Sequence, residues 1–449
     1  MGEPTTEYRP RNPQVGVLHR AVREGWAAVA ATLNLPARVH TEVRRYLRCG
    51  DLRHGFVQVK CTACSESTLV AFSCKGRGWC PSCGARRAHE TALHLAQELP
   101  VVPFRQWTLS LPGGLRWPLV KDSSLLRAVE RSVVRAIFRW QRRRARALGA
   151  PGPLRCGAVC FVQMFGSALQ LTPHLHLLVP EGVFGEDGFV ALPPPSTEEV
   201  EAVLVRTVER LLPLFEERQP PWPEDDFEKL QAKGAQLKLL LPEEPKPGRK
   251  GRLAVAHGLS LHADTWVAAN DRQGLERLCR YGARGPIAES RLSRREDGRY
   301  AYETKKGVTL VMTAEQLVRR LLWLIPPRGL HLTNFHGVFA SHAKARASVL
   351  LPAPEVVETA AGAPTVPATE ETATVPRAKR PRVDWAALQR HTFACDVWAC
   401  PCGGRRRGVA VVTSARIAEE LLRNLGKWQP TPPLPPAQGP PQRVLVLDC

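Results

Sequence analysis

The stretch Leu171-Thr172-Pro173-His174-Leu175-His176-Leu177-Leu178-Val179-Pro180 sets two histidines one residue apart in an apolar run. Leu175, Leu177, Leu178 and Val179 mark it as a buried strand. On a strand, residues i and i+2 share a face, so both imidazoles project together, about 6–7 Å apart along the backbone. On a helix the same pair would diverge by roughly 200°. Two titratable groups on a core strand are costly unless something binds them. They are either core histidines hydrogen-bonded to backbone or a platform that clamps one metal ion.

Strands and helices alternate around this stretch. Residues 157–165 read as a second buried strand, and Gly166-Ser167-Ala168-Leu169 turns the chain between the two as antiparallel neighbours. Residues 104–111 read as another strand, stopped by Pro112-Gly113-Gly114. Helical patterns cover 14–48, 85–99, 122–148, 196–217, 271–281, 314–325 and a stretch near 415–425. Asn270 or Asp271 is expected to cap the helix that leads to Tyr281, and Gly282 with Gly285-Pro286 to stop it. Residues 299–313 suggest a strand pair with a Lys-Lys-Gly turn, and 219–252 read as a Pro- and charge-rich loop or insertion. The class is α+β. The expected division is a helical, cysteine-bearing region (1–100), a core (101–350), a Pro/Ala/Thr-rich linker (351–382), marked by its composition, and a C-terminal cysteine-containing segment (383–449).

Lys and Arg number 63 against 42 Asp and Glu, a net charge of +21. Such an excess favours a polyanionic partner. Nucleic acid leads, because arginine forks match phosphate geometry. An anionic membrane surface is the alternative, but no basic amphipathic helix is long enough to favour it. No run of 18 apolar residues exists, so no transmembrane helix is expected. The start, Met1-Gly2-Glu3-Pro4, lacks a signal pattern, so an intracellular, reducing compartment is expected. There, clustered cysteines are metal ligands more often than disulfides.

Most of the 13 cysteines fall in two clusters. The first holds Cys61-x2-Cys64 and Cys80-x2-Cys83. Each pair is a knuckle that sets two thiolates on one ion, and the two are expected to complete one structural zinc site. Cys49, His54 and Cys74 lie in the same stretch and could belong to a second site or exchange into the first. Lys75, Arg77, Arg86 and Arg87 surround the knuckles, as on a DNA-holding module or a merely structural staple. The second cluster is Cys395, Cys400 and Cys402, with His391 nearby. Cys400-Pro401-Cys402 has one residue between its thiols, a poorer knuckle, so zinc here is left open. The very basic pattern at 122–148 suits either DNA contact or a solvated helix face.

The chain has five tyrosines, and Tyr281 ends its helix off the apolar stripe of Leu275, Leu278 and Cys279, between Arg280 and Arg284. Alone it reads as a packing or surface residue. Beside a two-histidine metal site it gains a chemical meaning. A phenol is a weak nucleophile near neutral pH. A divalent metal that polarises a phosphate, with arginines that stabilise the developing charge, lets it attack phosphorus and form a covalent phosphotyrosine. Mg²⁺ or Mn²⁺ suits that task.

Together these motifs resemble a family. Phe72-Ser73-Cys74-Lys75-Gly76-Arg77-Gly78-Trp79-Cys80-Pro81-Ser82-Cys83 is similar to the N-terminal zinc-binding region of rolling-circle insertion-sequence transposases, the insertion-sequence ninety-one type of the His-hydrophobic-His (HUH) tyrosine superfamily. Arg105–Pro112, Phe165–Leu169 with Pro173–His176, Arg280-Tyr281 with Pro286-Ile287-Ala288, and His331–Thr333 with Phe335–Ala340 resemble its further motifs, in order. The resemblance implies an antiparallel HUH nuclease core and a transposase that nicks single-stranded element ends. Tyr281 would hold the 5′ phosphate, and His174 and His176 the metal. Gln163, on the neighbouring strand, or His336 would add a third ligand. Lys75, Arg77, Arg86, Arg87, Arg280 and Arg284 would contact DNA. A prokaryotic cytoplasmic, nucleoid-associated protein is implied, with self-association left open. Three departures stand out. Arg277 occupies the place of a second tyrosine found in some members, Phe335 replaces a tyrosine before His-Gly, and the C-terminal knuckle is shortened.

Three other functions compete. A replication initiator or relaxase would use the same chemistry on another DNA. A zinc-containing DNA-binding protein would need no catalysis, and an RNA-binding ribbon protein would prefer a different polymer.

Overall fold

Alternation along the histidine strand builds the centre of the molecule. Leu175, Leu177 and Val179 enter one apolar core, while Leu178 enters a second on the opposite side of the sheet. The computed structural model describes residues 15–217, 222–237, 251–305, 307–351 and 385–430. The expected linker at 351–382 lies, apart from Leu351, outside them.

Two helices open the described chain, α1 (Val17–Thr32) and α2 (Ala37–Leu47), parted at Pro36 where one helical stretch was expected. Proline cannot continue a helix, which explains the break. Strands β1 (Phe56–Cys61) and β2 (Ser67–Ala71) precede α3 (Pro81–Glu98), then β3 (Phe104–Ser110), α4 (Gly113–Lys121) and α5 (Ser123–Ala147). Next come β4 (Gly157–Phe165), β5 (Leu171–Pro180), the short pair β6 (Gly182–Phe184) and β7 (Phe189–Ala191), and α6 (Thr197–Glu217). Helix α7 (Asp226–Gln236) occupies part of the stretch expected to be loop, capped by Asp225, whose carboxylate accepts from Glu228 N–H. Strands β8 (Leu253–Ala256), β9 (Leu259–His262) and β10 (Trp266–Val267) lead to α8 (Arg272–Ala283). Strands β11 (Leu292–Arg294), β12 (Tyr300–Glu303) and β13 (Thr309–Met312) form a separate antiparallel sheet. Helix α9 (Ala314–Trp323), strand β14 (Thr333–Gly337) and helix α10 (Arg346–Val349) follow, and α11 (Trp385–Phe393), β15 (Arg406–Val412) and α12 (Ala415–Asn424) end the described chain.

The central sheet runs β14-β4-β5-β3-β9-β8, with β10 also on β3, and its pairs are antiparallel. Helices α4 to α7 contact the strands from the side of Leu175 and Leu177. Helices α3 and α8 pack together on the other side, over Phe104, Val159, Phe161 and Leu178. The chain is therefore α+β with antiparallel sheets, as expected. No helix among the described residues is long and apolar enough to cross a membrane.

Candidate active site and cysteine centres

Register decides which side chains meet. His174 and His176 alternate with the core leucines and so face α8. Gln163 lies directly opposite His174 on β4, and Thr108 opposite His176 on β3, so all four share that face. The imidazole centres are 4.9 Å apart.

Both rings are oriented through Nδ1. His176 Nδ1 sits 2.7 Å from the Gln106 amide nitrogen and 3.1 Å from the Thr108 hydroxyl, and His174 Nδ1 sits 2.9 Å from the Thr172 carbonyl. The amide can only donate, so His176 Nδ1 accepts from it. The His176 Nε2 atom is buried and has no partner among the described residues. Burial first, then the charges of His174, Arg284 and Lys305, push His176 down to about 3. Burial, assisted by Arg284 and Arg116, also lowers His174. Both rings are thereby held in the neutral form that binds metals.

Gln163, 1% exposed, donates from its amide nitrogen to the carbonyls of Tyr281 (2.7 Å) and Gly282 (2.9 Å). Its Oε1 is left buried and unpartnered. An orphaned imidazole nitrogen and an orphaned amide oxygen on one face are costly unless something occupies them. With His174 they make a donor set of two nitrogens and one oxygen, the kind that divalent ions take. His336 does not join them. It pairs with Ala158, whose side faces the α5 core, and its Nε2 lies 2.7 Å from buried Glu130 on α5. A strand of the wrong parity keeps His336 on the opposite face.

Tyr281 reaches the histidines because α8 lies close on β4. Asp271 caps α8 by accepting from Gly274 N–H. Gly282 was expected to stop the helix but lies within it, and a Cβ there would come 2.6 Å from the Phe161 ring. The missing side chain lets helix and strand touch. The Tyr281 ring stands edge-on to His176, centres 5.5 Å apart, and is 40% exposed, so its outer side is open. Arg284 lies 4.8 Å from that ring centre and Lys305 Nζ 4.7 Å. Lys305 belongs to the β12–β13 hairpin, where Thr304 and Val308 close the turn. Sequence reasoning found the Lys-Lys-Gly turn but gave Lys305 no role, because nothing local says where a hairpin docks. Arg277, in place of a second tyrosine, is exposed and pairs with Asp271.

The cysteines assemble differently from the expected single site. Cys80 and Cys83 join Cys49 and Cys74, whereas Cys61 and Cys64 join Cys400 and Cys402; each set of four sulfurs lies within 4.8 Å. The two N-terminal knuckles stay apart because Cys61 ends β1, beside β15, whereas Cys80 and Cys83 lie at the start of α3 and group with Cys49, just past the end of α2. In the first set, Cys83 Sγ lies 3.8 Å from Cys49 and 3.4 Å from Cys74. Cys80 stands at the N-terminal end of α3, where the helix dipole favours thiolates. His54 pairs with Asp51 instead, and Cys395 and His391 are in neither set. Around this centre Lys75 and Arg77 are exposed, Arg87 donates to the Lys75 carbonyl and Arg86 to Ser73. Gly84 of α3 approaches Gly285, just past the end of α8, where the two helices pack together. On α8, Arg280 pairs with Glu276.

Two family models match the chain. One, described as "Putative transposase", matches residues 157–347. The other, "Transposase zinc-binding domain" of the IS91 type, matches residues 21–111. No curated protein and no solved structure matches.

Proposed function

We propose, from the premise that this chain belongs to the IS91-type transposases with an N-terminal zinc-binding domain, that it transposes DNA by tyrosine-mediated nicking of single-stranded element ends. A transposase is a DNA-processing enzyme, and the finer chemistry is our own reading. Its main support is the convergence of Tyr281 on His176, with His176 Nε2 and Gln163 Oε1 unpartnered beside it.

In this scheme the Tyr281 oxygen attacks the scissile phosphorus. A bond forms between the tyrosine oxygen and phosphorus, and the bond to the 3′ oxygen breaks. The phenolic proton passes to solvent, and the released 3′ oxygen takes one up. The 5′ phosphate stays on the enzyme, which keeps the phosphodiester energy for rejoining in a rolling-circle route. Mg²⁺ or Mn²⁺, held by His174, His176 and Gln163, would polarise the phosphate. Arg284 and Lys305 face the spread of charge over the phosphate oxygens. Lys75 and Arg77 before α3, Arg86 and Arg87 on it, and Arg280 on α8 would add further phosphate contacts to the bound strand. We assign nicking to residues 101–350, zinc binding to 1–100, and a linker and C-terminal segment to 351–382 and 383–449. The protein would act in the prokaryotic cytoplasm, at the nucleoid, and self-association is compatible with such a role.

The test is nicking of labelled single-stranded element ends with Mg²⁺ or Mn²⁺. A covalent protein–DNA band that requires metal and is lost in Tyr281→Phe is expected. Equal nicking by Tyr281→Phe would overturn the scheme.

A further inference from the structure

The matched zinc-binding segment contains six cysteines: Cys49, Cys61, Cys64, Cys74, Cys80 and Cys83. Four of them close one cluster, which leaves Cys61 and Cys64 without partners inside the segment. Their partners, Cys400 and Cys402, lie beyond both matched segments. We infer that Cys61, Cys64, Cys400 and Cys402 form a second structural zinc site, which fastens the C-terminal segment to the N-terminal module.

Strand pairing brings the two knuckles together. β1 lies between β2 and β15, and its last residue, Cys61, stands opposite Arg406, the first of β15. Each knuckle then turns at the same end of the sheet. Cys61 N–H donates to Glu66 O at 2.8 Å, and Cys400 N–H donates to Gly404 O at 3.0 Å. Thr62 N–H donates to Arg405 O at 2.9 Å and ties one knuckle to the other. Cys61 and Cys402 sulfurs are 3.6 Å apart, as are Cys64 and Cys400. A tetrahedron of thiolates about 2.3 Å from zinc has edges of about 3.8 Å, so the spacing fits one ion.

The short Cys400-Pro401-Cys402 knuckle works because of the two glycines after it. Gly403 has φ +85°, a conformation that side chains rarely adopt. A Cβ on Gly404 would stand 2.9 Å from Cys61 Sγ and 2.8 Å from Ala63. Gly404 therefore leaves the room through which the opposite sulfur approaches.

The experiment is metal counting on the full-length protein, by elemental analysis and by cobalt substitution read through thiolate-to-cobalt absorption. Wild type should hold two zinc ions, and Cys400→Ser/Cys402→Ser one. Cys61→Ser/Cys64→Ser should give the same loss, which shows that one ion is shared by both knuckles. A wild type with one zinc would overturn the inference without any variant. So would two ions retained in Cys400→Ser/Cys402→Ser, or thiol counting that finds a Cys61–Cys402 disulfide in their place. None of these readouts depends on nicking, so the zinc site and the tyrosine chemistry stand or fall separately.

Discussion

Gln163 occupies two positions at once, and its amide explains how. The nitrogen holds the Tyr281 and Gly282 carbonyls, which fixes the end of α8, while the buried oxygen has no partner among the described residues. A carboxylate could replace the oxygen but not the donors. Gln163→Glu should therefore keep a metal-binding oxygen yet set a charge against two carbonyls, at a cost of about 1–3 kcal/mol. A fall in thermal stability together with slower nicking is expected. Unchanged stability would mean that the amide is not what ties α8 to β4. At this scale the sequence was informative about parity. The i, i+2 histidines and an antiparallel partner place Gln163 on the right face. The same parity logic needs the register of β14 to remove His336, and that register is set by a long-range pairing with β4.

Elements survived best where the pattern is long, amphipathic in α5 and α6 and continuously apolar in β4 and β5: all four lie within a residue or two of expectation. Helix α8 shows where such reading stops. Glycine normally weakens a helix, so Gly282 looks like a terminator. Its place is instead dictated by tertiary packing, since only a residue without Cβ fits against Phe161. Gly282→Ala should push α8 off β4, destabilise by about 1–3 kcal/mol, and slow nicking by moving Tyr281 from His176. Calorimetry and a single-turnover assay check the two effects. Wild-type values for both would show that α8 has slack at this point.

The whole molecule gathers its site from distant pieces. Histidines come from the central sheet, the tyrosine from α8, and Lys305 from a hairpin of another sheet. Lys305→Ala should slow nicking by about 10-fold or more, with Lys305→Arg retaining much of the rate and both keeping wild-type melting, since the side chain is exposed. An unaltered rate in Lys305→Ala would remove it from the reacting phosphate. Such convergence is illegible in one sequence, as is the exchange of knuckles: Cys-x-x-Cys pairs were matched by proximity along the chain, whereas the β1–β15 ladder matches them across more than 300 residues. Local spacing shows that thiolates want a metal, and only topology says which four share it.

The most direct measurement is to map the DNA–protein linkage. Wild-type protein would be reacted with a 5′- or 3′-labelled element-end strand, digested with trypsin and analysed by mass spectrometry. The account predicts a 5′-phosphate carried by the peptide that begins at Tyr281. A linkage through the 3′ end, or on any other residue, would contradict it.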